Sequence, residues 1–434
     1  MSHRPPLLAL LGLLGALMPA AASSTSADAK LCRDLALEPP LRVEACARAL
    51  AAHDLTEKLQ LDLLSARAQA FDDLGDYTRA IADYDSAIVL APKDPVLRLN
   101  RGVAKIHAGR PADAVADYDE AARLKPDWHL PYFDRAVALT DLGQRAAALK
   151  DYDHAIQLKP DDAWIYVGQG DVLAASGDPA RALDAYDKAL ALRPDLDDPR
   201  AKRATLLLRL DRPAEALPEL DRVLATNPSK PHLWQTRGQA KFQLAHYDDA
   251  AADFSRALDL APQDKDIRRD LARAELGAGN AEDAWRTLSL TLGDDADEAA
   301  DLTLSAMVAL LTNRASAAEG LVRRAVDIQP GGAGAQMVLA LHLQRQREAD
   351  AAREAAELAV SFAPEDAEIA AVARLAGAEI DPDETPSPPA LPRTTPAKTA
   401  LADCVAALGA GDLGAARAAP AGWSLCHLAA VLAQ

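Results

Sequence analysis

Two consecutive stretches of the chain carry one pattern: PVLRLNRGVAKIHAGRPADAVADYDEAARLKPDW at 95–128 and HLPYFDRAVALTDLGQRAAALKDYDHAIQLKPDD at 129–162. Each stretch has 34 residues, and proline stands at its thirty-second position. The same proline recurs in phase along most of the chain, with Ala296 interrupting the series, at Pro92, Pro126, Pro160, Pro194, Pro228, Pro262, Pro330 and Pro364. A constant spacing over this length indicates an array of similar structural units.

Other positions of the 34-residue pattern predict two helices in each unit. Glycine recurs at position 15, where a first helix must end and the chain must turn, at Gly75, Gly109, Gly143, Gly177 and Gly279. Proline recurs near position 17, where it can begin a second helix without losing a hydrogen bond, at Pro111, Pro179 and Pro213. Hydrophobic residues make up 50% of the chain but aromatic residues only 4%, so alanine and leucine supply most of the core. Both residues are strong helix formers, and an all-α fold is expected.

This pattern resembles the tetratricopeptide repeat family, whose period is also 34 residues. The resemblance covers nine units, from 61–94 to 333–366. It implies an all-α superhelical solenoid of about nine helix-turn-helix repeats with a concave groove, in which each repeat contacts mainly its neighbours. Repeats two to six match the pattern best, whereas Ala296 and Thr291 make repeat seven irregular.

The remaining sequence divides into six predicted segments. Residues 40–60 resemble a single second helix of a repeat, so we expect an N-terminal cap. A proline-rich linker and a small helical hairpin around Gly411 and Gly414 should follow the array. The expected segments are a signal peptide at 1–22, the cap at 23–60, a regular block at 61–264, degenerate repeats with a capping helix at 265–380, the linker at 381–399 and the hairpin at 400–434.

The N-terminus resembles an export signal. An apolar run from Leu7 to Met18 is too short to span a membrane, and small residues follow it. We therefore expect cleavage near Ala22 and a periplasmic or secreted protein without a direct membrane span; an uncleaved anchor is the alternative. The net charge of −18 argues against nucleic acid as a partner.

The four cysteines lie only at the two ends of the chain. Four cysteines allow three pairings. We favour Cys32–Cys46 and Cys404–Cys426, because each bond would then staple one end of an exported array. Free buried thiols remain the alternative, and neither pair has the close spacing of a zinc site.

The sequence contains no recognisable catalytic motif. It lacks the histidine pair of zinc proteases, a nucleophile elbow, a phosphate-binding loop and a dinucleotide fingerprint. We therefore predict that the protein is not an enzyme and uses neither a metal nor a cofactor.

Arginine and aspartate also recur in phase. Arginine at position 7 and aspartate at position 25 predict a structural ladder between helices. If the pairs are exposed, each should contribute well under about 1 kcal/mol. The residues are Arg67, Arg101, Arg135, Arg203 and Arg237 with Asp85, Asp119, Asp153, Asp187 and Asp221.

In the family that the chain resembles, the first helix of each repeat lines the groove. In repeats two to four these positions form an apolar stripe, in which Phe133 and Trp164 could anchor a ligand. Alternatively, the stripe packs against the C-terminal hairpin or another copy of the chain. The predicted partner-binding residues are Val96, Leu99, Asn100, Val103, His107, Leu130, Phe133, Asp134, Val137, Trp164, Val167 and Asp171.

The sequence thus predicts an exported scaffold that binds a client protein or peptide in its groove. The resemblance to exported bacterial repeat proteins places it in the cell envelope. The alternative is an accessory subunit that recruits or positions an envelope enzyme or a polysaccharide export complex. Nothing in the sequence selects an oligomeric state.

Overall fold

A computed structural model describes residues 21–290, 298–378, 395–410, 412–419 and 424–433. These residues form 24 helices and no strand, which confirms the all-α prediction. Most of the expected signal peptide, at 1–20, and most of the expected linker, at 381–394, lie outside the described residues. Contacts divide the chain into two compact units, 1–194 and 195–434.

Unit 1 contains five helix pairs. Its helices are α1 (Ala21–Cys32), α2 (Pro39–Leu50), α3 (Glu57–Asp73), α4 (Tyr77–Leu90), α5 (Pro95–His107), α6 (Pro111–Leu124), α7 (His129–Asp141), α8 (Arg145–Leu158), α9 (Ala163–Ala175) and α10 (Pro179–Leu192).

Unit 2 contains five further pairs and four additional helices. They are α11 (Asp197–Arg209), α12 (Pro213–Thr226), α13 (Pro231–Gln243), α14 (Tyr247–Leu260), α15 (Lys265–Gly277), α16 (Ala281–Ser289), α17 (Ala299–Leu311), α18 (Ala315–Ile328), α19 (Ala333–Arg345), α20 (Ala349–Phe362), α21 (Ala367–Leu375), α22 (Pro396–Gly409), α23 (Leu413–Ala418) and α24 (Leu425–Leu432).

The nine pairs from α3–α4 to α19–α20 are the nine predicted repeats. We call the first helix of each pair the A helix and the second the B helix. The N-terminal cap differs from the prediction, because it is a complete pair, α1 and α2, rather than one helix. The alanine-rich α1 lacks the phased proline and glycine that mark most of the other pairs. Its disulfide, Cys32–Cys46, joins the two helices beside Leu63 of α3.

The turn between A and B helices has a left-handed backbone at position 15 of every repeat. Five repeats place glycine there, as the pattern predicts, since glycine adopts positive φ without a side-chain clash. The other four hold the same conformation with Asp211, Ala245, Asn313 and Arg347. The fold therefore requires this turn even where the sequence signal is missing.

Close approach of the two helices explains the small residue at position 8. A Cβ atom on Gly102 would lie 2.5 Å from the ring of Tyr118, and one on Gly238 would lie 2.7 Å from the ring of Phe254. Each aromatic ring is almost fully buried between its A and B helices. A side chain at either of these two glycines would meet the ring and force the pair apart.

The arginine ladder exists, but its main partner is the aspartate at position 23 of the same repeat. Arg67 donates two hydrogen bonds of 2.7 Å to Asp83. Arg101 donates to Asp117 in its own repeat and, at 2.6 Å, to Asp85 of the preceding repeat. Because the arginines and the position-23 carboxylates are mostly buried, these are not the weak exposed pairs that the spacing suggested.

The C-terminal part of unit 2 departs from the predicted segments at two places. The linker expected at 381–399 ends earlier, because Pro396 begins α22 and the Thr395 hydroxyl caps that helix by accepting from the Lys398 amide. Three helices, α22–α24, stand where a hairpin was expected, and the Cys404–Cys426 disulfide joins α22 to α24.

The boundary between the two compact units also differs from the expected one. It lies after Pro194, two repeats before the boundary expected at 264.

Candidate functional site

The A helices of unit 1 lie side by side. Helix α5 contacts α3 on one side and α7 on the other, and α7 contacts α9. The exposed and half-buried side chains of these four helices form one continuous surface, which we call the A-helix face of unit 1. All twelve residues that the sequence analysis selected lie on α5, α7 and α9, and ten of them have side chains on this face.

Three of the twelve residues are exposed, and seven are half-buried. The exposed residues are Val96, His107 and Trp164; the half-buried residues are Asn100, Val103, Leu130, Phe133, Asp134, Val137 and Asp171. Leu99 and Val167 are instead buried in the core, so the stripe is narrower than predicted. Both stand at position 5, which faces the neighbouring helices in these two repeats.

The accessible apolar surface is concentrated at position 2. Val96 is 46% exposed and Trp164 is 49% exposed, and Leu130 stands at the same position of the repeat between them. The Asp162 carboxylate accepts a hydrogen bond from the Trp164 amide and so fixes the start of α9. The indole therefore stands at a defined point near the beginning of a rigid helix.

The second predicted anchor is less accessible. The ring of Phe133 packs edge-on against Tyr152, with ring centroids 6.1 Å apart. Its neighbours also include Val137 in the same apolar cluster. Phe133 therefore packs inside the protein as well as contributing surface to the face, and its removal should lower stability as well as binding.

Polar contacts fix several other side chains of the face. The Nδ1 atom of His107 lies 3.0 Å from the carboxylate of Asp72 on α3. The Tyr186 hydroxyl donates a 2.7 Å hydrogen bond to Asp171. Asp134 differs, because burial raises its carboxyl pKa to about 6. Together with the apolar side chains at position 2, these carboxyl groups make the face both apolar and acidic.

A different arrangement occupies the A helices of unit 2. Helix α24 packs against α17, α19 and α21, and α22 packs against α13. The Lys398 ammonium lies 2.6 and 2.7 Å from the two carboxylate oxygens of Asp211. Sequence reasoning missed this contact, since 187 residues separate the partners and no local pattern joins them.

The described residues contain no group of three or more His, Cys, Asp or Glu side chains that could hold a metal ion. No helix in the part of the chain that the structure describes is long and apolar enough to cross a membrane. The arrangement offers surfaces for contact with another molecule.

Helix pairs stacked on a 34-residue period define a helical repeat protein. Two tetratricopeptide repeat models match the sequence, one at residues 65–127 and 133–197 and the other at 173–240 and 242–307. Together the matches cover more than half of the chain. The chain belongs to the tetratricopeptide repeat family, whose arrays serve as protein–protein interaction scaffolds.

Several solved structures are similar to the chain. A tetratricopeptide repeat protein from Parabacteroides merdae has 18% identity and a TM-score of 0.43, covering 57% of this chain and 98% of its own. YrrB, described as a TPR protein with an unusual peptide-binding site, has 22% identity and a TM-score of 0.33, covering 50% and 95%. MamA 41-end from Desulfovibrio magneticus RS-1 has 22% identity and a TM-score of 0.37, covering 39% and 97%. No curated protein matches the sequence.

Proposed function

We propose that the protein is an exported scaffold of the bacterial cell envelope that binds a client protein through the A-helix face of unit 1. The observation that carries this proposal is the exposed apolar pair at position 2, Val96 and Trp164, on a row of rigid helices. A large aromatic side chain on an ordered surface loses little conformational freedom on binding and often dominates the binding energy. Half-buried apolar neighbours widen the contact.

Binding should depend on Trp164 more than on any other residue of this face. Partners are first captured by cross-linking in the envelope fraction and identified, and the affinity of the purified pair is then measured. Trp164→Ala should weaken binding by about 30-fold, which corresponds to roughly 2 kcal/mol. The Phe133→Ala/Trp164→Ala double variant should weaken it further, with a lower melting temperature because Phe133 also packs on Tyr152.

Val89 provides a matched control, because it is 79% exposed on the B helix α4. Val89→Ala should leave the affinity unchanged. If folded Trp164→Ala protein binds as tightly as the wild type, the site is not on this face. Capture of one stable enzyme partner, rather than several clients, would favour the role of an accessory subunit.

Export is tested separately by mass spectrometry of the protein recovered from the envelope fraction. The proposal expects a mature N-terminus at Ser23 and formation of the Cys32–Cys46 bond in an oxidising compartment. An intact N-terminus on soluble protein in the cytoplasm would refute it.

A further inference from the structure

The C-terminal helices of unit 2 pack against A helices of the same unit. Helix α24 packs against α17 and α19, which are the A helices of repeats eight and nine, and against α21. Helix α22 reaches α13, the A helix of repeat six. An A-helix face therefore exists in unit 2 as well, and α22–α24 cover part of it.

The burial of the side chains at position 9 shows that α24 covers this face. Met307 and Leu341 stand at position 9 of repeats eight and nine, and both are almost completely buried. Val103 and Val137 stand at the same position in unit 1, where they are only half-buried. On α24, Leu428 is fully buried in the cluster that contains Met307 and Leu341. Apolar packing thus joins α24 to the face.

Two polar contacts fix the position of the C-terminal helices. The Glu368 carboxylate on α21 accepts a 2.8 Å hydrogen bond from the Cys426 amide in the first turn of α24. The Lys398–Asp211 ion pair holds the start of α22 against the turn of repeat five. The contacts with the rest of unit 2 therefore involve the apolar side of α24, its N-terminus and the start of α22.

The C-terminal helices do not fill the face. A cavity of about 430 Å³ remains between the start of α24 and the A helices of repeats seven to nine. Its lining combines apolar side chains with charged and polar groups, and includes Met307, Leu425, Arg269, Arg273, Glu368 and Ser424.

We propose that the A-helix face of unit 2 is a helix-binding surface and that the chain's own helices α22–α24 are its resident ligand, able to leave and rebind. The Cys404–Cys426 disulfide joins α22 to α24, so these helices would move together. This surface is separate from the face proposed above for the client, and its test does not depend on that client.

The test uses a labelled synthetic peptide of residues 395–433 with its disulfide formed, added to the full-length protein. Wild-type protein should bind the peptide weakly, because its own helices occupy the face. Leu428→Asp should displace α24 and strengthen binding of the peptide by at least tenfold in fluorescence anisotropy. The matched control is Ala415→Asp, which places the same charge at an exposed position of α23 and should behave as the wild type.

The Lys398–Asp211 pair supplies an independent measurement in the full chain. Lys398→Glu should speed hydrogen exchange of the α24 amides by about tenfold without changing exchange in α17. The charge-swapped variant Lys398→Glu/Asp211→Lys should restore slow exchange. Position 15 tolerates a long cationic side chain, because Arg347 occupies it in repeat nine.

Two results would overturn the proposal. The first is a folded Leu428→Asp protein that binds the peptide no better than the wild type does. The second is parallel acceleration of exchange in α17, α19 and α24 when Lys398 is replaced, because the helices would then be an inseparable part of the core of unit 2.

Discussion

Replacing Arg135 with glutamine should destabilise repeat three by about 3 kcal/mol. Arg135 donates hydrogen bonds of 2.7 and 2.6 Å to Asp151 and a further one to Asp119. The Asp151 side chain is only 12% exposed, so the substitution leaves a mostly buried carboxylate without its counterion. Loss of one member of a buried pair costs about 3–5 kcal/mol, and the residual exposure of both side chains favours the lower end.

In repeat four, both members of this ion pair are replaced by uncharged residues. Gln169 stands at the position of Arg135, and Ala185 stands at the position of Asp151. Gln169 donates a 2.7 Å hydrogen bond to Asp153, the position-25 carboxylate of the preceding repeat. The double variant Arg135→Gln/Asp151→Ala copies this arrangement and buries no unpaired carboxylate. It should therefore lose less than about 1 kcal/mol, which gives a coupling of at least roughly 2 kcal/mol, because the cost of Asp151→Ala also enters the cycle.

Native-state hydrogen exchange of the α7 and α8 amides is the appropriate assay, because repeat arrays open locally and need not unfold in one step. The single variant, Asp151→Ala and the double variant complete a thermodynamic cycle with the wild type. A double variant as unstable as Arg135→Gln would refute the compensation. A single variant within about 0.5 kcal/mol of the wild type would show that the carboxylate is not effectively buried.

Three further predictions concern packing, pH and the N-terminal disulfide. Gly102→Ala should lower the free energy of opening of repeat two by about 1–3 kcal/mol, because the new methyl group meets an aromatic ring. Gly320→Ala, on an open helix surface in repeat eight, should raise the free energy of opening of that repeat by up to about 1 kcal/mol, and native-state hydrogen exchange measures both changes. Burial raises the pKa of Glu368 to about 7, so docking of α24 should be strongest below its ordinary pKa near 4.5 and weaken as pH rises through 7. Hydrogen exchange across this range should show that dependence, and Glu368→Gln should remove it. Cys46→Ser removes the disulfide bond to Cys32 and should destabilise the N-terminal helix pair by about 3 kcal/mol. Thermal denaturation measures this change, and an unchanged melting temperature would contradict a stapling role for the bond.

The repeat could be predicted because each requirement recurs in many units. The proline period and the glycines at position 15 identified the helix pairs and their turns. The partner of the ladder arginine was also visible in the sequence, since Asp83, Asp117, Asp151 and Asp253 recur at position 23. The spacing alone did not distinguish it from position 25, because both lie on one helix a short distance apart. Only the geometry shows that the position-23 carboxylate faces the arginine of its own repeat.

Contacts between distant segments could not be predicted in the same way. Nothing near Lys398 in the sequence indicates Asp211, and nothing near Cys426 indicates Glu368. Burial was also misjudged at Leu99 and Val167, because a family pattern places a residue on a helix face but does not give its depth. A proline-rich composition likewise concealed Pro396, which begins a helix rather than extending the linker.

The A-helix faces of the two units are built from similar repeats, and the main difference between them is that α24 packs on the face of unit 2. Both are rows of A helices with apolar residues at position 9, valine in repeats two and three and larger residues in repeats eight and nine. In unit 2 those residues are buried by α24, whereas in unit 1 they remain partly accessible. The apolar area that α24 removes from water is a gain that the corresponding face of unit 1 can obtain only by binding another molecule. The packing of α24 is therefore a structural precedent, within this chain, for the kind of contact proposed for Trp164 and its neighbours.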